Sequence, residues 1–300
     1  MLTVMSDQAE SRRQRAARRA GEFPSAPEPL PRPVIDSHTH LDITVAEAGV
    51  AGPPVGPGDP VEAMIEVAAG VGVDRLVQVG VDVASSRWGV EVARQYAAVV
   101  ATVALHPNEA PRLDDLDEAL RQIESLAAED RVRGIGETGM DFFRTGEEGR
   151  AAQETSFRAH IAIAKRYGKP LVIHDRDAHA DVLRVLDEEG APQTVVMHCF
   201  SGDAEFAAEC VRRGYVLSFA GTVTFASATA LREAARVTPP DQLLVETDAP
   251  YLTPTPHRGR PNASYLIPLT VRSLAETTGA DVAELCTAIS ATGERVFGPW

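Results

Sequence analysis

Eight short apolar runs, each ending in polar or charged residues, recur along the chain at the spacing of strand–helix units. They are VIDSHTH (34–40), RLVQVGV (75–81), VVATVALHP (99–107), RVRGIGETG (131–139), KPLVIHD (169–175), QTVVMHCF (193–200), GYVLSFAG (214–221) and QLLVETDAP (242–250). Short apolar runs of this kind suit parallel strands covered on both faces. Longer helix-like stretches separate them, at 60–72, 84–98, 112–129, 150–168, 176–189, 203–213 and 226–237, with final helices near 264–279 and 281–296. Eight such units predict a single-domain α/β fold, the closed (β/α)8 or TIM barrel. An open doubly wound sheet would carry a Gly-rich phosphate loop after its first strand, where this chain has HTHLD. A length of 300 residues with 44% hydrophobic content is ample for one large core. The predicted division is a flexible arginine-bearing tail over 1–33 and a barrel over 34–300, with GVAGPPVGPGDP (49–60) as a loop after the first strand.

The formal net charge is -14, so the chain lacks the basic field of a non-specific nucleic-acid coat protein. A phosphate-bearing substrate stays possible, because bound divalent cations can supply local positive charge. Cys199, Cys210 and Cys286 form no CxxC spacing, which predicts reduced thiols and a cytoplasmic protein. Cys199 reads as a structural thiol in a core strand rather than a nucleophile. No run is apolar for long enough to cross a membrane, and the N-terminal charges precede no apolar signal segment. Arg12, Arg13, Arg15, Arg18 and Arg19 could touch nucleic acid, although a solvated tail without specific role is the plainer reading.

Of eight histidines, His38, His40, His106, His174 and His198 lie at or near the C-terminal ends of predicted strands, the rim on which barrels keep their chemistry. One histidine there would ordinarily be structural; five on one rim with acids beside them point to metal binding. His38 and His40 are two apart, so both side chains can enter the barrel mouth. Imidazole suits zinc and other transition ions. Asp248 reads as a further ligand, and Glu246, of the same strand parity but deeper, as an acid that orients a ligand. Glu137 ends the fourth strand among glycines that let the backbone turn beside a metal pair. The only lysines, Lys165 and Lys169, fall in a helix and at the entrance of the fifth strand. A carboxylated lysine is therefore ruled out as a metal bridge, which leaves Glu137 in that role.

The stretches IDSHTHLD, ALHPNEA, GIGETGMDFF, PLVIHDRDA, VVMHCFSG, SFAGTVTF, VETDAPYLTP and PHRGRPN, from about residue 34 to 262, resemble the TatD-like deoxyribonuclease family of the amidohydrolase superfamily. The resemblance implies a barrel, a pair of divalent ions (Mg, Mn, Zn or Ni) and phosphodiester hydrolysis on DNA. It implies His38, His40 and Asp248 on one metal, His174 and His198 on the other, and Glu137 between. It also implies His106 beside the scissile phosphate, and Arg258 and Asn262 as substrate contacts on the loop after strand eight. The arginine-bearing tail, the 49–60 loop, the RGRPNASYL segment and the pair Phe142–Phe143 depart from the family's usual form, and all bear on substrate preference rather than on the metals.

The expected activity is a nuclease working from the 3′ end of single-stranded DNA, as a monomer and without a membrane. Asp248 would take the proton of the attacking water and His106 would assist at the phosphate. Phe142 and Phe143 could stack a terminal base, although packing under the loop is nearly as natural. Two rival readings are a superfamily hydrolase of a small anionic metabolite, cutting a C–N or C–O bond, and a metal-binding scaffold. Six intact ligands argue against the scaffold.

Overall fold

A computed structural model describes residues 22–51 and 58–300. Eight parallel strands lie in sequential order: β1 Val34–Thr39, β2 Val73–Val79, β3 Val99–Val103, β4 Val132–Asp141, β5 Leu171–Arg176, β6 Val195–Met197, β7 Val216–Phe219 and β8 Leu243–Val245. The ring closes where Thr39 bridges Ala249, with Asp248 N–H donating to His38 O (2.9 Å) and His40 N–H to Ala249 O (2.9 Å). The result is the (β/α)8 barrel that the alternation of runs predicts.

Valine dominates the strands, and all five residues of β3 and all six of β1 are buried, as double coverage requires. The helices are α1 Leu41–Ala51, α2 Pro60–Gly70, α3 Val83–Gln95, α4 Leu116–Ala127, α5 Glu147–Tyr167, α6 His179–Glu189, α7 Ala204–Arg212, α8 Thr229–Val237, α9 Ile267–Thr278 and α10 Val282–Phe297. Aspartate starts many of them. Asp82 closes a capping box with Ser85 on α3, and Asp115, Asp203 and Asp281 accept from the first-turn N–H groups of α4, α7 and α10.

Two ladder irregularities coincide with predicted ligands. The β1–β2 register shifts between Asp36 and Thr39, and β4–β5 between Ile135 and Thr138. An extra residue on one strand re-aims its side chains, and here it does so at His38 and Glu137.

Two expectations change. Helix α1 begins directly after His40, where none is predicted, because its buried positions Leu41, Thr44 and Glu47 carry only one apolar side chain. Residues 52–57 of the predicted 49–60 loop lie outside the described residues. The boundary at residue 33 falls too late, because residues 22–33 pack onto the barrel. Phe23 and Leu30 are buried, Tyr265 Oη donates to Pro24 O (2.7 Å), Arg260 donates to Glu22 O and Arg272 to Glu28 O and Pro29 O. The arginines at 12–19 lie outside the described residues.

Candidate metal centre

Glu137 sits at the centre of the rim. Its Oε2 is 3.4 Å from His38 Nε2 and 3.9 Å from His40 Nε2, while Oε1 is 2.7 Å from His174 Nδ1 and 3.2 Å from both His198 Nε2 and His106 Nε2. Asp248 Oδ1 stands 3.3 Å from His40 Nε2 and 3.8 Å from His38 Nε2. All six predicted ligands therefore converge, contributed by the ends of β1, β4, β5, β6 and the segment after β8.

The outer nitrogens set which atoms face the centre. His40 Nδ1 donates to Val79 O (3.2 Å), which leaves Nε2 bare. His198 Nδ1 stands 2.8 Å from Glu246 Oε1, and its Nε2 turns inward to 3.2 Å from Glu137 Oε1. His174 reverses this, with Nε2 3.3 Å from Asp141 Oδ2 and Nδ1 facing the centre. His106 differs in kind. Its Nδ1 accepts Asn108 N–H (3.0 Å), so the neutral ring carries its proton on Nε2 and presents a donor to the centre.

The electrostatics suit cations. Burial alone lowers the imidazoles of His40 and His174, but Asp248 beside the one and Asp141 with Glu137 beside the other raise both to about 9. Burial would raise Glu137, yet the surrounding histidines hold it well below the usual carboxylate range. His38 and His106 go the other way, lowered chiefly by burial. His38 is wholly buried and neither ring nitrogen completes a hydrogen bond. An orphaned imidazole, His38, beside the carboxylates of Glu137 and Asp248 is a gap that a divalent cation would fill, and mixed His/carboxylate donors suit Mg, Mn, Zn or Ni.

Asp248 owes its direction to a left-handed backbone conformation, φ 52°, since β8 ends at Val245 and strand alternation no longer applies. Gly139 (φ 132°) makes room for β5 rather than for metals: a Cβ there would lie 2.1 Å from His174 O. Burial and then the nearby carboxylates push the Cys199 thiol well up, which disfavours the thiolate a nucleophile needs.

The substrate-side residues divide. Arg258 is exposed, its guanidinium 4.1 Å above the Phe225 ring. Asn262 is not at the mouth; it is fully buried and its amide donates to Thr247 O (3.0 Å) and Tyr251 O (2.5 Å), bracing the loop after β8. Phe142 packs against the core beneath Arg150, and Phe143 is the exposed member of that pair. Two residues escape the sequence reading. Asp141 accepts from Asn108 Nδ2 (2.8 Å) and from the N–H groups of Phe143 (3.0 Å) and Arg144 (2.8 Å) while it orients His174. Its even spacing from Glu137 on β4 was the available signal. Asp36, pushed up to about 7 by burial, accepts from Thr247 N (2.9 Å) and Oγ1 (2.6 Å) and ties β1 to the chain after β8 beneath His38.

The family model for TatD-related DNase matches residues 35–298. An uncharacterized metal-dependent hydrolase TatD of Mycobacterium tuberculosis is 45% identical over 269 residues, covering 88% of this chain and 98% of the relative. The uncharacterized metal-dependent hydrolase YabD of Bacillus subtilis is 34% identical, again over 88% and 98% of the two chains. The crystal structure of YJJV, a TatD homolog from Escherichia coli, superposes with a TM-score of 0.79 at 26% identity, covering 89% of this chain and 98% of that one. With its histidines and carboxylates converging on one barrel rim, the chain belongs to the TatD-related DNase family and is a metal-dependent hydrolase.

Proposed function

We propose that the protein is a deoxyribonuclease that hydrolyses phosphodiester bonds of single-stranded DNA from the 3′ end, as a monomer, with two divalent cations astride Glu137. The observation that carries this reading is the division of one carboxylate between two donor sets, Oε2 toward His38 and His40, Oε1 toward His174 and His198. Such a division would let Glu137 serve both donor sets if each held a divalent ion. The family's description as DNase-related supports DNA as the substrate.

Divalent ions at this centre supply Lewis-acid polarisation of the phosphoryl oxygens and lower the pKa of water. The chain's own groups do the rest. Asp248 Oδ1 takes the proton of the attacking water; its side chain is 16% exposed against 4% for Glu137, so it is the carboxylate that solvent reaches. His106, kept neutral by burial, offers Nε2–H to the phosphate. Glu246 and Asp141 hold His198 and His174 in place. Arg258 adds positive charge at the mouth for an anionic substrate.

Chelated protein, tested on 5′- and 3′-labelled single-stranded DNA, should be inactive, and Mg or Mn should restore it, with the 3′ label released first as mononucleotide. Full activity in excess EDTA, or none with any of the four metals, overturns the reading. Light scattering should give a mass near 32.1 kDa.

A further inference from the structure

Phe143 is the most exposed large apolar side chain among the described residues, at 61%. It belongs to the rim. The β4–β5 ladder runs to the Asp141–Arg176 pair and Phe142 N–H donates to Arg176 O (2.9 Å), so Phe143 and Arg176 stand where the two strands open onto the mouth. Arg176 lies two residues beyond His174 on β5 and shares its side-chain parity. Its guanidinium covers one face of the Phe143 ring at 4.0 Å and leaves the rest of the ring to solvent.

Two further features bear on this pair. Several surface arginines, such as Arg94, Arg121, Arg184 and Arg213, are paired with carboxylates, while Arg150 and Arg258 lie over aromatic rings as Arg176 does. Arg176 has no carboxylate within ion-pairing distance among the described residues, in a chain of net charge -14. An unneutralised guanidinium at the mouth of an acidic protein is suited to a phosphate. Phe143 is also fixed relative to the metal centre. Its N–H donates to Asp141 Oδ1 (3.0 Å), Asp141 Oδ2 holds His174 Nε2 (3.3 Å), and His174 Nδ1 meets Glu137 Oε1 (2.7 Å). Three contacts thus join the Phe143 backbone to the Glu137 carboxylate.

We infer that Phe143 and Arg176 form a subsite for the nucleotide flanking the scissile phosphate, the ring stacking its base and the guanidinium meeting the adjoining phosphate. Resting on the nuclease reading above, this explains why an aromatic is left in water beside an arginine with no acid. Stacking is indifferent to base identity, so the subsite favours any base over none.

The test compares single-stranded oligonucleotides carrying one abasic position, at the 3′ end or next to it, with the intact strand. Wild type should prefer the intact strand about tenfold in kcat/KM, or about 1.4 kcal/mol, chiefly through KM. In Phe143→Ala the preference should fall to near unity, and in Phe143→Trp it should persist or grow. Arg176→Gln should weaken binding of both strands and flatten the salt dependence of KM. Melting curves verify that the variants fold. An oligonucleotide with 2-aminopurine at the same positions reads the contact without turnover: stacking on wild type quenches its fluorescence and Phe143→Ala relieves the quenching. Absence of cleavage by wild type counts against the nuclease reading alone. Cleavage with an unaltered preference in Phe143→Ala, or no quenching on wild type, overturns this subsite.

Discussion

Glu137 and Asp141 stand on one strand four residues apart and do different work. Glu137 touches five imidazoles and would hold cations; Asp141 touches one of those imidazoles from behind. Replacing Glu137 with Gln keeps the volume and removes the charge, so adjacent cations repel with less compensation and the second is lost. Turnover on a labelled oligonucleotide should fall by more than the ~10–100-fold typical of an outer partner of a metal ligand, with metal content reduced in elemental analysis. Asp141→Asn should fall inside that range and keep its metals. Both should melt near wild type, because the barrel core lies beneath the rim. A Glu137→Gln protein with wild-type turnover and full metal content would refute the bridging role.

Among the elements, α5 carries the group with the clearest consequence for stability. His160 is fully buried on it; Nε2 accepts Leu105 N–H (3.1 Å) and Nδ1 reaches Ser156 O (2.6 Å), so the ring pins the segment after β3 one residue before His106. Burial lowers its pKa from 6.5 to about 4. The unfolded chain therefore takes up this proton first. The stability it contributes is complete above pH 6.5 and is lost as pH falls toward 4. By pH 5 the loss is about 2 kcal/mol, taking 1.36 kcal/mol per pH unit. His160→Gln lacks this dependence, so urea midpoints of wild type and variant should converge between pH 7 and 5. A constant gap across that range would show that His160 does not titrate as its burial demands.

At the scale of the molecule, residues 22–33 act as a strap from the loop that carries Arg260 down to the entrance of β1. Burying Phe23 and Leu30 is worth about 1.5–3 kcal/mol each before ordering costs. Two truncations separate the strap from the arginines that precede it. Deleting residues 1–21 should leave melting temperature and turnover on a short oligonucleotide unchanged, whereas deleting 1–30 should lower the melting temperature by about 5 °C or more. Equal stability of the two truncations would mean that the strap contributes nothing. A dead but folded 1–21 deletion would give the tail a part in the chemistry.

The number and order of strands, the closed barrel and the converging ligands were legible in the sequence, because each depends on local pattern. Buried parallel strands need continuous apolar runs, and barrel chemistry gathers where those runs end. Folding decided whatever depends on a neighbour distant in the chain. The strap looked like a tail because its two anchors, Phe23 and Leu30, lack any period. Helix α1 hid because its inward face includes Thr44 and Glu47. Asn262 resembled a substrate contact until the loop after β8 closed over it, and Phe142 and Phe143 parted because the chain at the end of β4 turned one ring inward and the other out. A residue's type limits what it can bind, but its partners determine whether it is free to bind it, and those partners are brought together only by tertiary contacts.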